Sequence, residues 1–178
     1  MGPPLSRPLQ VYAFDPSVGR RHGNHMTVTV PYEPLEPGPR GRRVEVIDFD
    51  GSNGCYYAPV DLDSRDVLLG RGLSPSEADP RFHQQMVYAV ACKAIENFSP
   101  ALGRQVEWTR RRRGSPGARP RPLRIFPHGM QEANAYYDAQ RHALLFGYFA
   151  ASASDVGSNL PGQTIYSCLS HDIVAHET

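Results

Sequence analysis

Apolar residues recur at three- and four-residue steps over one stretch of the chain more regularly than anywhere else. In DPRFHQQMVYAVACKAIENFSP, the side chains of Phe82, Met86, Val87, Val90, Ala91, Ala94, Ile95 and Phe98 fall on one face at helical spacing. Asp79 followed by Pro80 supplies an N-cap and a proline at the first helical position, where a missing N–H costs nothing. Pro100 and Gly103 supply the stop. The spacing predicts a helix over 80–98 whose stripe is core, with His83 beside it and partly exposed. Just upstream, Ser74 and Glu77 stand at capping-box spacing around Pro75, which predicts a short extra turn.

Elsewhere the period drops to two. Thr27–Val30 (TVTV) is rich in β-branched residues and reads as a strand. Four prolines between Pro31 and Pro39 forbid ladder donation and force a loop. Val44–Phe49 reads as a half-buried strand closed by the turn-forming Asp50–Gly54, and short strands are expected at Val106–Thr109 and Leu123–Phe126. Residues 134–149 (NAYYDAQRHALLFGYF) predict a β-hairpin turning at Asp138–Arg141, with its apolar weight on Leu144, Leu145, Phe146 and Tyr148. A small-residue loop follows, and helical spacing restarts near the end, where Ser167 or Ser170 can cap and Leu169, Ile173 and Val174 form the buried side. Residues 1–26 show little periodicity and read as a loosely ordered arm, with one short strand near Leu9–Phe14; residues 27–178 read as one domain.

Composition adjusts this picture only modestly. A chain of 178 residues with 40% hydrophobic side chains can hold a real core without staples. With 17 Pro and 16 Gly, many connections must be turns, so the fold class is α+β, strand-rich, with one long amphipathic helix. No run reaches the roughly 18–20 consecutive apolar residues of a membrane span. The opening MGPPLSRPLQ has no apolar leader, and three scattered cysteines (Cys55, Cys92, Cys168) suit buried thiols better than disulfides or a zinc ribbon. Both features lean toward a cytoplasmic chain while leaving its location open. A formal charge of +1 removes the simplest case for nucleic-acid binding. Eight arginines crowd between Arg104 and Arg124, but the run from Arg110 has no interleaved aromatic rings for stacking, so 110–124 reads as a solvated basic loop.

The candidate chemistry sits at the end of the chain. His176 and Glu177 fall near the close of the last predicted helix. In H-E-x-x-H, histidines at i and i+4 share one helix face and a zinc ion, and the glutamate lies where it can deprotonate a metal-bound water. A His-Glu pair alone says little, since seven histidines and eight glutamates produce roughly 0.3 such pairs per chain by chance. His171 is five residues before His176 and points elsewhere on a helix, while His128 and His142 are expected to be ordinary, non-metal histidines.

The surrounding string is more specific. Asn134-Ala135-Tyr136-Tyr137, followed about 40 residues later by Asp172, Val174, Ala175, His176 and Glu177, resembles the thermolysin-like zinc metallopeptidases of the gluzincin group. The resemblance covers Asn134–Thr178 and extends weakly to the long helix. It implies the strand-rich N-terminal lobe of a zincin-like catalytic domain, cut inside its active-site helix. His176 would then be the first zinc ligand and Glu177 the general base. Asn134 and the Ala135 backbone would pair with an extended peptide substrate, and Tyr136 and Tyr137 would line the cleft or pack beneath it. Asp172 would match an aspartate that contributes to a calcium site. The second histidine and the third ligand would lie past Thr178, in a helical lobe that would also cover Leu169, Ile173 and Val174. Without it, those three are expected to form an exposed patch, and the piece to be inactive. The competing expectation is a non-catalytic module that binds extended peptides at the same sheet edge or mediates assembly.

Overall fold

The computed structural model describes residues 4–18, 23–104, 106, 121–154 and 159–178. Strands β1 (Ser6–Tyr12) and β2 (His25–Pro31) form an antiparallel hairpin, paired from Ser6 opposite Pro31 to Tyr12 opposite His25. A central sheet follows, built from β3 (Val44–Val46), β6 (Leu123–Met130), β8 (Ala143–Ala150) and β7 (Ala135–Asp138), in the order β3-β6-β8-β7. The pairs β3–β6 and β6–β8 are parallel, and β7 runs antiparallel along the edge. Strand β9 (Thr164–Tyr166) adds to the far end of β8, while β4 (Phe49–Asp50) and β5 (Cys55–Tyr56) make a two-residue ribbon of their own. Two shorter helices, α1 (Arg65–Leu69) and α3 (His171–Glu177), flank the long α2 (Pro80–Ala101), and a 3-10 turn at Ser167–Leu169 leads into α3. The chain is therefore α+β and strand-rich, as its pattern predicts. Among the described residues no helix is long and apolar enough to cross a membrane.

Helix α2 joins two parallel strands, a connection that needs a crossover of a dozen or more residues. Its start follows the sequence: Asp79 Oδ1 accepts from the Arg81 backbone N–H at 3.0 Å, and Pro80 takes the first helical position. Its end is later than expected. Pro100 sits inside the last turn, and Gly103 (φ 62°) closes it in the left-handed region that glycine tolerates. The stripe is wider than expected too. Every residue from Phe82 to Ala91 is buried, because the hairpin, β3, β6 and α3 surround the helix instead of lining one face. Phe98 lies past this cover and is exposed.

The extra turn expected at Ser74–Glu77 does not form. The Glu77 carboxylate is drawn instead to Gln163, whose Nε2–H donates to it at 3.0 Å, and so does not close a capping box. The helix in this region is α1, starting after Ser64.

The first residues also differ from expectation. From Ser6 the segment expected to be a loose arm is a strand whose Leu9 and Val11 enter the core with Val28 and Val30 of β2. Arg7 is buried with them and bonds to residues far along the chain: the Glu33 carbonyl at 2.9 Å, Asp63 Oδ1 at 2.5 Å and the Leu62 carbonyl. These anchors lie 26 to 56 residues away, so local periodicity could not reveal them.

Of the strand expected at Val106–Thr109 only Val106 is among the described residues, and most of the arginine-rich loop 110–124 lies outside them. Of the three cysteines, only Cys168 is fully buried; Cys92 is partly buried and Cys55 is exposed on the short β4–β5 ribbon, against the expectation of three buried thiols.

Candidate metal and peptide sites

The hairpin of residues 134–150 folds as its pattern predicts. Ala135 pairs with Phe146 and Asp138 with Ala143. Asp138 makes the turn by accepting from the backbone N–H groups of Gln140 and Arg141 at 2.8 and 3.0 Å, which also holds its carboxyl below the usual range. Strand β7 pairs with β8 on one side, and among the described residues no strand pairs with its other side. Asn134 is exposed, with its carbonyl accepting from Gly147 N–H at 2.9 Å and lying 3.3 Å from the Ser167 hydroxyl oxygen. Ala135 is half-buried, and Tyr136 and Tyr137 are both exposed on this edge. The Tyr137 hydroxyl lies 3.2 Å from His142 Nδ1 across the hairpin.

Gly147 holds this edge to α3. Its N–H also donates to Ser167 Oγ at 3.0 Å, and that hydroxyl donates to the Gly147 carbonyl at 2.8 Å. A Cβ at this position would stand 2.1 Å from the Glu132 carbonyl oxygen and 2.8 Å from that of Asn134. Both obstacles are backbone, so no rotamer change relieves them. Gly147→Ala is expected to push residues 132–134 off β8 at a cost of about 1–3 kcal/mol. A lower denaturant midpoint and faster amide exchange over Ala135–Asp138 would show it; an unchanged exchange pattern would mean the strand yields easily.

Helix α3 lies beside β7 and against α2. Ser170 stands at its N-cap without a side-chain bond. Leu169 and Val174 are fully buried and Ile173 is partly buried against the core, so the patch expected to be exposed is covered by α2 and the 3-10 turn. His176 is exposed in the last turn, Glu177 is half-buried and Asp172 is exposed in the first turn. His171 Nδ1 lies 3.3 Å from the Tyr12 carbonyl, which ties the helix start to β1. Neither His176 nor Asp172 belongs to a group of three His, Cys, Asp or Glu metal donors among the described residues.

The one such group they contain lies elsewhere: His83, His128 and Cys168, all buried, with ligand atoms within 4.8 Å of one another. It can hold a metal ion. His83 comes from α2, His128 from β6 and Cys168 from the turn before α3. Asp48 Oδ1 lies 2.6 Å from His128 Nδ1, His128 Nε2 lies 2.8 Å from His83 Nδ1, and His83 Nε2 lies 3.1 Å from the Glu77 carbonyl. Three tyrosines wall the cluster: Tyr57 and Tyr166 against His128 at 4.8 and 5.4 Å between centroids, Tyr166 against His83 at 4.6 Å, and Tyr148 farther out at 6.2 Å from His128. Burial, then the neighbouring His128, pushes His83 down to about 3. Burial pushes the Cys168 thiol well up.

Beside this cluster, Asp50 organises the turn that sequence reading placed at Asp50–Gly54. Its carboxylate accepts from Ser52 and Asn53 backbone N–H groups and Asn53 Nδ2, all at 2.8–2.9 Å, and from the Tyr148 hydroxyl at 2.9 Å. Burial alone would raise its carboxyl, but the Asn53 bonds and the others outweigh burial and hold it below the usual range. Burial and the hydrogen bond to Asp50 in turn push the Tyr148 phenol up to about 12.

Sequence reading misses the buried cluster and takes both His83 and His128 for unremarkable residues. One signal was present: His83-Gln84-Gln85 interrupts the apolar stripe between Phe82 and Met86 with three polar residues in a row. Each turns out to clamp a different segment. Gln84 accepts from Val60 N–H and donates to Asp48 Oδ2 and the Ala58 carbonyl, while Gln85 accepts from Leu73 N–H and donates to the Gln10 and Leu73 carbonyls. Buried polar groups require such partners, so a polar triplet inside a core helix marks converging loops. No family model, curated protein or solved structure matches the chain.

Proposed function

We propose that the chain is the strand-rich lobe of a gluzincin-type zinc metallopeptidase, with β7 receiving an extended peptide and α3 presenting His176 and Glu177 to the metal. The observation that carries this reading is the juxtaposition of the two parts of the motif. The Asn134–Tyr137 segment is an antiparallel edge strand, and the helix bearing His176 and Glu177 lies beside it. A strand with one open side can take up a peptide by main-chain hydrogen bonds, with exposed Tyr136 and Tyr137 as side-chain contacts. Had the tyrosine strand folded away from α3, the motif would have no common site.

The zinc at His176 needs donors beyond the described residues. The test therefore starts with the coding sequence past Thr178, where the reading requires a histidine two residues on and a glutamate on a later helix. In the protein carrying them, chelator-sensitive peptide cleavage is expected. Glu177→Gln should keep the zinc and cut turnover by about 100- to 10,000-fold, the usual contribution of a positioned proton acceptor. Any other residue in place of that histidine removes the peptidase reading. It would favour a peptide-binding module without catalysis, for which the open edge of β7 is sufficient, and Gly147→Ala would then weaken peptide binding.

A further inference from the structure

We infer that His83, His128 and Cys168 form a buried zinc(II) site, separate from the terminal helix and independent of the peptidase reading. The argument begins with a count of hydrogens. The chain Asp48–His128–His83–Glu77 ends in an acceptor on both sides, a carboxylate and a backbone carbonyl, and contains three short contacts. Two neutral imidazoles supply only two ring hydrogens. When each ring donates outward, His128 to Asp48 and His83 to Glu77, the inner nitrogens face each other lone pair to lone pair at 2.8 Å. In that arrangement a proton or a metal ion between them satisfies both lone pairs; in the other, His83 donates to His128 and its Nε2 faces the Glu77 carbonyl at 3.1 Å without a hydrogen.

Two features favour the metal. Metal-bound histidines characteristically donate their other ring N–H to a carboxylate or a backbone carbonyl, which fixes the tautomer and the ring direction. Asp48 and the Glu77 carbonyl occupy those two roles here. A proton needs no third donor, yet Cys168 Sγ completes a cluster of soft and borderline ligands with no carboxylate among them, the set zinc prefers. Around zinc, the nitrogens would open by about half an ångström and the sulfur close in by about one, judged from ordinary Zn–N and Zn–S bond lengths. Cys168 sits on a single 3-10 turn, where a shift of that size is a local adjustment. The ion would tie α2, β6 and the approach to α3 together.

The experiment uses the 178-residue chain, which does not carry the further donors that a zinc at His176 requires, purified with zinc and dialysed against zinc-free buffer. One zinc per chain is expected by elemental analysis. Cobalt(II) exchanged for it should give a thiolate charge-transfer band in the near ultraviolet. Cys168→Ser should abolish the band and lower the zinc content, whereas His176→Ala should leave both as they were. Zinc lost in His176→Ala but kept in Cys168→Ser would place the ion at the terminal helix and overturn the inference. So would a wild-type protein that takes up neither metal and shows a strongly deshielded bridging proton between the two rings. If Cys168→Ser does not fold, the cobalt spectrum of the wild type decides alone, and absence of the thiolate band counts against the site.

Discussion

Arg7→Ala is expected to cost about 3–5 kcal/mol of stability, the loss that follows when one partner of a buried ion pair is removed. Arg7 is only 2% exposed, and its guanidinium is spent on three acceptors at once. It donates to Asp63 Oδ1, to the Glu33 carbonyl and to the Leu62 carbonyl, and it lies 5.0 Å from the centre of the Tyr32 ring. Asp63 holds its other oxygen for Leu35 N–H at 2.7 Å. Removing the cation strands a carboxylate and two carbonyls, and it unpins β1 from the loops after β2 and before α1. Arg7→Lys should recover little, since one ammonium cannot present the planar fork that reaches three acceptors. Arg7→Met combined with Asp63→Asn should be milder than Arg7→Ala, because it removes both charges together. Denaturant midpoints of the three variants check this. Equal and small losses for all three would mean that the pair contributes nothing net.

The same residue shows why part of the fold was hidden. A charged side chain in SRPLQ, among prolines, reads as exposed, and only contacts 26 to 56 residues distant bury it. The parallel sheet was obscured for a different reason. Strands covered on both faces lose the alternation that marks a strand, and Ala143–Gly147 of β8 are buried without interruption. What could be read was local. The cap and stripe of α2 and the Asp138 turn of the β7–β8 hairpin depend on neighbours within a few residues, and both formed where the pattern placed them.

The candidate sites divide along the same line. His176-Glu177 and Asn134–Tyr137 are legible because each is a contiguous string, and the fold then sets β7 beside α3. The buried cluster is assembled from Asp48, His83, His128 and Cys168, with bonded partners 45 and 80 residues apart. No window along the chain contains two of its members. Its only trace was the polar triplet in α2, which looked like a flaw in the stripe and is the seam where three loops attach.

Asp48 is where that seam carries the most. Asp48→Ala should lower stability by about 1–3 kcal/mol for each of the two buried donors its carboxylate oxygens serve: His128 Nδ1 at 2.6 Å and Gln84 Nε2 at 2.8 Å. Gln84 cannot turn away, since its Oε1 already accepts from Val60 N–H and its Nε2 also donates to the Ala58 carbonyl. For the same reason Asp48→Asn, though equal in shape, is not neutral. Whichever way the amide lies, its NH2 faces a donor, either the imidazole N–H or the Gln84 amide, and a buried donor left without an acceptor costs about 1–3 kcal/mol. Zinc affinity should fall with it by about 10- to 100-fold, the effect of losing the acceptor behind a metal-bound histidine. Stability and zinc affinity are separate readouts of one carboxylate. If Asp48→Asn lowers stability and leaves zinc binding intact, the carboxylate only anchors Gln84 and the ion lies elsewhere; if it lowers both, Asp48 is what aims His128 at the metal.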